Sequence, residues 1–399
     1  MVSTHQPFYT TKRPKRRGQK SNMSACKSSV ITTSSEDEDE FLFAMEMNAL
    51  IGIPMVLKAT VELGILEMLA EGGPSGSPPP LSPAEIASRL PTKNPEAPVT
   101  LDRMMRLLAS NSILSCTLAQ GPDGDTRRLY GLGPRSKYFM RTRGASTFPA
   151  SMLLYLTDKI MTGGWYCLKD AIMEGGRPFE LANGMNIFEY ASKDDKFNVL
   201  FNNAMQGSTN VYMNKIVEIY RGFDNAKTVV DVGGGVGATL RIIVSKNPHI
   251  HGINFDLPHV VREASSIPGV EHVEGDVTKY IPKADVILLK VTQLQLPLWW
   301  LIHCGDEEFG VKVLKNCWEA LPEKGKVVIM DVVLPEYPDT DAVNRNSFLA
   351  DIWMLSSTPG GKMWTEKELQ VMALAAGFDA PKVVCRAYNM WVVELHKKI

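Results

Sequence analysis

The sequence predicts a doubly wound α/β domain preceded by a smaller helical module carrying a two-stranded wing. Three observations support this. From Thr228 onward, short apolar runs alternate with helical segments. A glycine-rich turn separates the first of those runs from its helix. Upstream, two helical stretches lead into two strand-like runs on either side of a Gly-Pro-Asp-Gly turn. A chain of 399 residues is long enough for such a two-part design.

Residues 1–38 open the chain with seven basic side chains (Lys12, Arg13, Lys15, Arg16, Arg17, Lys20, Lys27) and no acid before Glu36. They read as a disordered tail, or as sequence upstream of a start at Met23. The KRPKRR cluster at 12–17 also fits a nuclear address, and the Ser/Thr-rich, acid-free character fits a transit peptide. Residues 39–145 are expected to form the first folded module. Glu40 to Ala70 has helical apolar spacing, and the chain breakers of 72–83 make a loop. Ser82 as N-cap, Pro83 at the first helical position and Glu85 in the first turn open a short helix through Leu90. A second helix from Ala97 to Leu108 turns Leu101, Met104, Met105, Leu107 and Leu108 inward. Strands over Ile113 to Leu118 and Arg127 to Leu132 complete a winged-helix order. Arg103, Arg106, Arg127 and Arg128 are opposed by Asp102, Asp123 and Asp125, too weak a basic face for nucleic acid. Packing or dimerisation is the expected role.

Residues 146–399 form the larger part, in which Met152 to Tyr220 is a helical stretch rich in Phe, Met and Tyr. Buried strands follow at Val229 to Val232, Gly252 to Phe255, Val286 to Leu289, Val327 to Met330 and Val383 to Val384, giving a core of 228–399. Composition excludes several classes. With 43 basic and 44 acidic residues, 44% hydrophobic and 22% charged, the chain is neither collagen-like, a coiled coil nor wholly disordered. Its longest apolar stretch, Ala44 to Ala70, is broken by Glu46, Lys58 and Glu62, so no membrane span is expected. Six scattered cysteines without a CxxC pair, and no histidine at zinc spacing, argue against a disulfide framework or a metal site. Residues 1–35 lack a signal peptide's apolar centre, and a cytoplasmic location is expected.

The chemistry is carried by the run Val229 to Ala238, where Gly233, Gly234, Gly235 and Gly237 form a turn between a strand and the helix Thr239 to Lys246. Backbone there can approach a ligand closely. About twenty residues on, the second strand ends at Asp256, a carboxylate placed to accept hydrogen bonds from ribose hydroxyls. Gly233, Gly235 and Ala238 also fit GxGxxA, which leaves dinucleotide binding by an NAD-dependent oxidoreductase open.

The segments DVGGGVGATL, GINFDLPHVV, PGVEHVEGDV, LKNCWEALPEKGKVV and PGGK, in this order, resemble plant O-methyltransferases of the caffeic acid type over roughly Glu40 to Ile399. The resemblance implies a Rossmann-like catalytic domain, S-adenosylmethionine as cofactor, a small phenolic acceptor, and a homodimer whose winged-helix module contributes to the partner's pocket. Residue by residue, it places Gly233 against the methionine portion, Asp256 on the ribose, Asp276 and Val277 about the adenine, and Lys290 at the cofactor. His303 falls at the position of the general base. That role is chemically demanding, because a phenol of pKa ~10 is only about a thousandth ionised at pH 7. Met161, Phe197, Phe201, Met205 and Met354 match apolar acceptor positions, and Trp353 replaces a smaller aliphatic residue. Leu156, Ala191, Ser208 and Thr358 stand where the caffeic acid enzymes carry asparagine or histidine, which implies a less polar acceptor.

The chain also departs from this pattern. Nine residues, Val291 to Trp299, stand between Lys290 and Trp300, and their removal restores the family spacing to His303. Cys304-Gly305 replaces Asp-Trp, Asp331 is one methylene shorter than the family's first supporting glutamate, and Met363 replaces the second. A catalytically impaired binding protein with the same fold is therefore the alternative to an active enzyme with His303 as base and Asp331 as its support.

Overall fold

A computed structural model describes residues 35–71, 78–121, 124–142, 145–146, 148–290, 307–358 and 361–398. The chain divides at Leu50 into two compact units. Of the first, the helix Ser35–Ala49 is described; it begins inside the stretch expected to be tail because Glu36, Asp37 and Glu38 favour a helix N-terminus. Phe41, Leu42, Phe43, Met45 and Met47 are exposed along it. No single described helix is long and apolar enough to cross a membrane.

The second unit begins with helices Gly52–Glu62 and Ile65–Ala70, then Pro83–Arg89 and Ala97–Ser110. Ser82 closes the expected capping box, with Glu85 N–H on its hydroxyl and its own N–H on Glu85 Oε2 at 2.7 Å. Strands β1 (Leu114–Gln120) and β2 (Thr126–Leu132) form an antiparallel ribbon behind these helices. Leu57, Ile65, Leu101, Met105, Leu108 and Tyr130 fill the shared core. Asp102 accepts from Tyr130 Oη at 2.7 Å and pairs with Arg128 and Arg106, so two of the module's arginines are engaged within it. A short pair, β3 (Arg141–Thr142) and β4 (Ala145–Ser146), follows.

Helices then run from Phe148 to the 25-residue helix Asp195–Ile219, which Asp194 caps through Phe197 N–H at 3.0 Å. The main sheet contains β5 (Thr228–Val232), β6 (His251–Asp256), β7 (Val270–Glu274), β8 (Val286–Lys290) and β9 (Lys326–Asp331). After the short parallel pair β10 (Val333–Leu334) and β11 (Trp364–Thr365), it is completed by β12 (Lys382–Ala387) and β13 (Met390–His396). Their order is β12-β13-β9-β8-β5-β6-β7, all parallel from β9 to β7, with β13 antiparallel to both neighbours. The chain winds outward through β6 and β7, then returns to place β8 beside β5, so the topological switch lies between those two strands. In such sheets the ligand crevice opens at the carboxyl ends of the strands there.

Side chains alternate across this sheet. Val230, Val232, Ile287, Leu289, Val327 and Ile329 pack on one face with Leu314, Cys317 and Met372. Val229, Val286, Leu288, Val328 and Met330 pack on the other with Met213, Ile216 and Leu240. Cys317 behaves as a small apolar residue, its thiol pushed far up by burial. The expected strands are all present, those of the main sheet longer by one to four residues and β1 beginning one residue later than expected, at Leu114, while β3, β4, β7, β10, β11 and β13 were not expected.

Candidate active site

At the carboxyl end of β5, Gly233, Gly235 and Gly237 have φ of 69°, 57° and 83°, a region side-chain-bearing residues rarely occupy. Gly234 is needed for a different reason. A Cβ there would collide with Asn254 Oδ1 and lie 2.8 Å from Asp231 Oδ2. Among the described residues neither of these two buried oxygens has a hydrogen-bond partner. The Asn254 amide is held in place, with Nδ2 donating to Gly235 O at 2.7 Å and lying 3.1 Å from His272 Nδ1. Unsatisfied buried acceptors beside a glycine cradle call for a ligand rich in donors. The ammonium and ribose hydroxyls of S-adenosylmethionine match that requirement.

Asp256 ends β6 beside this turn, accepting from Gly235 N–H at 2.8 Å and Leu257 N–H at 2.7 Å. Burial raises its carboxyl above the usual range, with those two N–H bonds opposing the rise. Each oxygen retains a lone pair. Asp276, following β7, is partly exposed and fixed by Thr278 N–H at 2.9 Å and Thr278 Oγ1 at 2.7 Å, bonds that hold its pKa below the usual range. Val277 is buried, and its carbonyl accepts from Asn316 Nδ2 at 2.6 Å.

Lys290 ends the central strand β8 and is 8% exposed, its Nζ donating to Thr209 Oγ1 at 3.1 Å. It lies in the field of two carboxylates, Asp231 on β5 and Asp331 on β9. Burial lowers the pKa of the ammonium and raises that of Asp231, and their mutual attraction opposes both shifts. Three neighbouring strands thus present an acid, a base and an acid at one end of the sheet.

Asp331 also borders a cavity of about 360 Å³. Met161, Phe201, Met205, Trp353 and Met354 line it, together with Leu156, Ser208, Thr358 and Met363. Phe197 does not. It lies behind the wall, buried in the aromatic cluster with Tyr155 and Phe179, its ring parallel to that of Phe201 at 5° with centroids 6.4 Å apart. Ala191 likewise packs in the cluster behind the wall. Trp353 is braced edge-on by Trp165 at 4.4 Å. Tyr155, Tyr212 and Asn389 also line the cavity and were not expected; they come from segments far apart in the chain, and local spacing gives no signal for them. His303, Cys304, Gly305 and the stretch Val291 to Trp299 lie outside the described residues. Among the described residues no group of three His, Cys, Asp or Glu side chains is placed to hold a metal.

A family model for an O-methyltransferase domain matches residues 165–379, and one for an O-methyltransferase dimerisation domain matches residues 46–142. The caffeic acid 3-O-methyltransferase of Catharanthus roseus is 48% identical over 362 residues, which cover 91% of this chain and 96% of that protein. That of Capsicum chinense is 49% identical over 92% of this chain and 98% of its own length. Among solved structures, a methyltransferase of calicheamicin biosynthesis in its SAH-bound form shares the fold at a TM-score of 0.72 and 23% identity, over 92% of this chain and all of that one. Human N-acetylserotonin methyltransferase in complex with SAM does so at 0.73 and 21%, with the same coverage. Matched over both of its folded parts, the chain belongs to the O-methyltransferase family of the caffeic acid 3-O-methyltransferase type.

Proposed function

We propose that the protein methylates a hydroxyl of a small phenolic acceptor, working as a cytoplasmic homodimer with S-adenosylmethionine as its cofactor. One observation carries this reading: an apolar cavity sized for an aromatic ring has Asp331 at its wall, and Lys290 links Asp331 to the Asp231 end of the glycine turn. Gly233, Asp231 and Asn254 would hold the methionine portion of the cofactor, Asp256 its ribose, and Asp276 with Val277 its adenine. When bound, S-adenosylmethionine supplies an electrophilic methyl group on a sulfonium. The apolar wall of Phe201, Met205 and Met354 orients the acceptor ring and excludes water, and orientation of this kind is worth up to several orders of magnitude in rate. In this reading His303 takes the phenol proton, which contributes about 10²- to 10⁴-fold, and Asp331 positions its ring.

The dimerisation-domain match over residues 46–142 supports the homodimer. A wall whose polar side chains are few supports an acceptor less polar than the caffeic acid named for the relatives. Met363 at the cavity, where the resemblance expects a glutamate, favours the second reading of a fold that binds without turnover. Labelled methyl transfer from S-adenosylmethionine to a panel of phenols separates the two. Saturable cofactor binding with no transfer to any phenol would overturn the enzymatic proposal.

A further inference from the structure

We propose that Tyr155 sets acceptor specificity: its hydroxyl donates a hydrogen bond to a second oxygen substituent of the aromatic acceptor, distinct from the oxygen that is methylated. This rests on the acceptor reading of the cavity. Tyr155 lines that cavity and is 4% exposed. Its ring is clamped by Phe197 and Phe201 at centroid separations of 5.8 and 5.5 Å, so packing fixes where the hydroxyl sits.

Among the described residues no hydrogen bond or charge reaches that hydroxyl; burial alone acts on it and pushes its pKa far up, which keeps the proton available for donation. The other hydroxyls of the wall are engaged, Thr358 Oγ1 with Met354 Sδ at 3.7 Å. Ser208 donates to Met205 O and Ser357 to Trp353 O within their own helices, at 2.8 and 2.6 Å. Tyr212 donates to Asn389 Oδ1 at 2.7 Å. Among the described residues Tyr155 is thus the wall hydroxyl with a donor to spare, and a buried donor without a partner is a standing deficit that a ligand oxygen removes. An acceptor of the same shape with carbon in place of that oxygen leaves the deficit unrelieved. Sites of this kind discriminate strongly against the analogue lacking the oxygen.

The test uses pairs of equal size that differ at one atom: the 2-, 3- and 4-methoxyphenols against the corresponding ethylphenols. For each pair, kcat/KM is measured by labelled methyl transfer and Kd by quenching of tryptophan fluorescence, Trp353 lying in the wall. In the wild-type chain, at least one methoxy isomer is expected to be preferred by roughly tenfold or more, and Tyr155→Phe is expected to bring that ratio close to one. A purely structural role for the ring would shift both members of a pair together and leave the ratio intact. If no isomer shows the preference in the wild type, or if the preference survives in Tyr155→Phe, the proposal is overturned. Should the phenols bind without methyl transfer, the Kd ratios still decide the role of Tyr155, while the methyl-transfer reading fails separately.

Discussion

Alanine at position 234 is expected to abolish useful cofactor binding while leaving the fold intact. The added methyl would collide with Asn254 Oδ1 and lie 2.8 Å from Asp231 Oδ2. Neither can retreat: Asn254 is fully buried with its amide nitrogen tied to Gly235 O, and Asp231 is 2% exposed on the central strand. Overpacking a rigid site costs about 1–3 kcal/mol. The methyl would also fill the space through which both acceptors meet a ligand's donors, and each hydrogen bond to a charged group is worth about 1.5–3 kcal/mol. Loss of the two bonds at the lower figure, roughly 3 kcal/mol, corresponds to about two orders of magnitude in Kd. Calorimetric titration of S-adenosylmethionine into Gly234→Ala measures this directly. Gly52→Ala, where a Cβ meets nothing within 4 Å, is the control expected to leave affinity unchanged. Binding by Gly234→Ala within threefold of the wild type would refute the cradle as the cofactor site.

Two further outcomes are expected. Asp331→Asn should lower kcat by about 10- to 100-fold through loss of a charge-assisted contact, with acceptor KM little changed; a matching rise in KM would instead mark Asp331 as a substrate contact. Glu394 accepts from Tyr220 Oη and Lys326 Nζ, both at 2.6 Å, and lies 3.1 Å from His396 Nε2. Burial raises its pKa, but these partners outweigh burial and hold it below the usual value of 4.5. The stabilisation it provides is therefore complete above pH 4.5 and lost as pH falls through the lower folded value. Thermal melts across the acid range should show a shallower decline for Glu394→Gln, and a parallel decline would refute the assignment.

Much of this fold was legible because its signals are local. Ser82 and Glu85 announce a helix start three residues apart, and Val229 to Val232 is a fully buried strand that reads as an apolar run. β7 escaped because it is an edge strand whose Glu271 and Glu274 face solvent, which blurs its apolar pattern. β13 escaped for a different reason. Its hairpin with β12 turns at Tyr388-Asn389, without the glycine or Asn-Gly pair that usually marks such a turn. Within the site, the glycine turn and Asp256 were readable from the strand-turn-helix spacing. The partner-free oxygens of Asp231 and Asn254, the contact of Lys290 with Thr209 and the clamped ring of Tyr155 arise only when distant segments meet. Phe197 shows the converse: a residue of the right type and spacing that packing turns away from the opening.

The hairpin that hid β13 also bears on how this protein can be made more robust. Tyr388 holds φ at +58°, a backbone state that costs an ordinary side chain roughly 1–2 kcal/mol and glycine almost nothing. Conventional thermostabilisation would begin there. Yet the Tyr388 ring packs edge-on against Tyr212 at 6.0 Å, and the next residue, Asn389, receives the Tyr212 hydroxyl at the cavity wall. Heat tolerance gained at this tip would be drawn from the groups that shape the cavity, so an engineer wanting a tougher protein with an unchanged cavity should leave position 388 alone and look to the far side of the sheet.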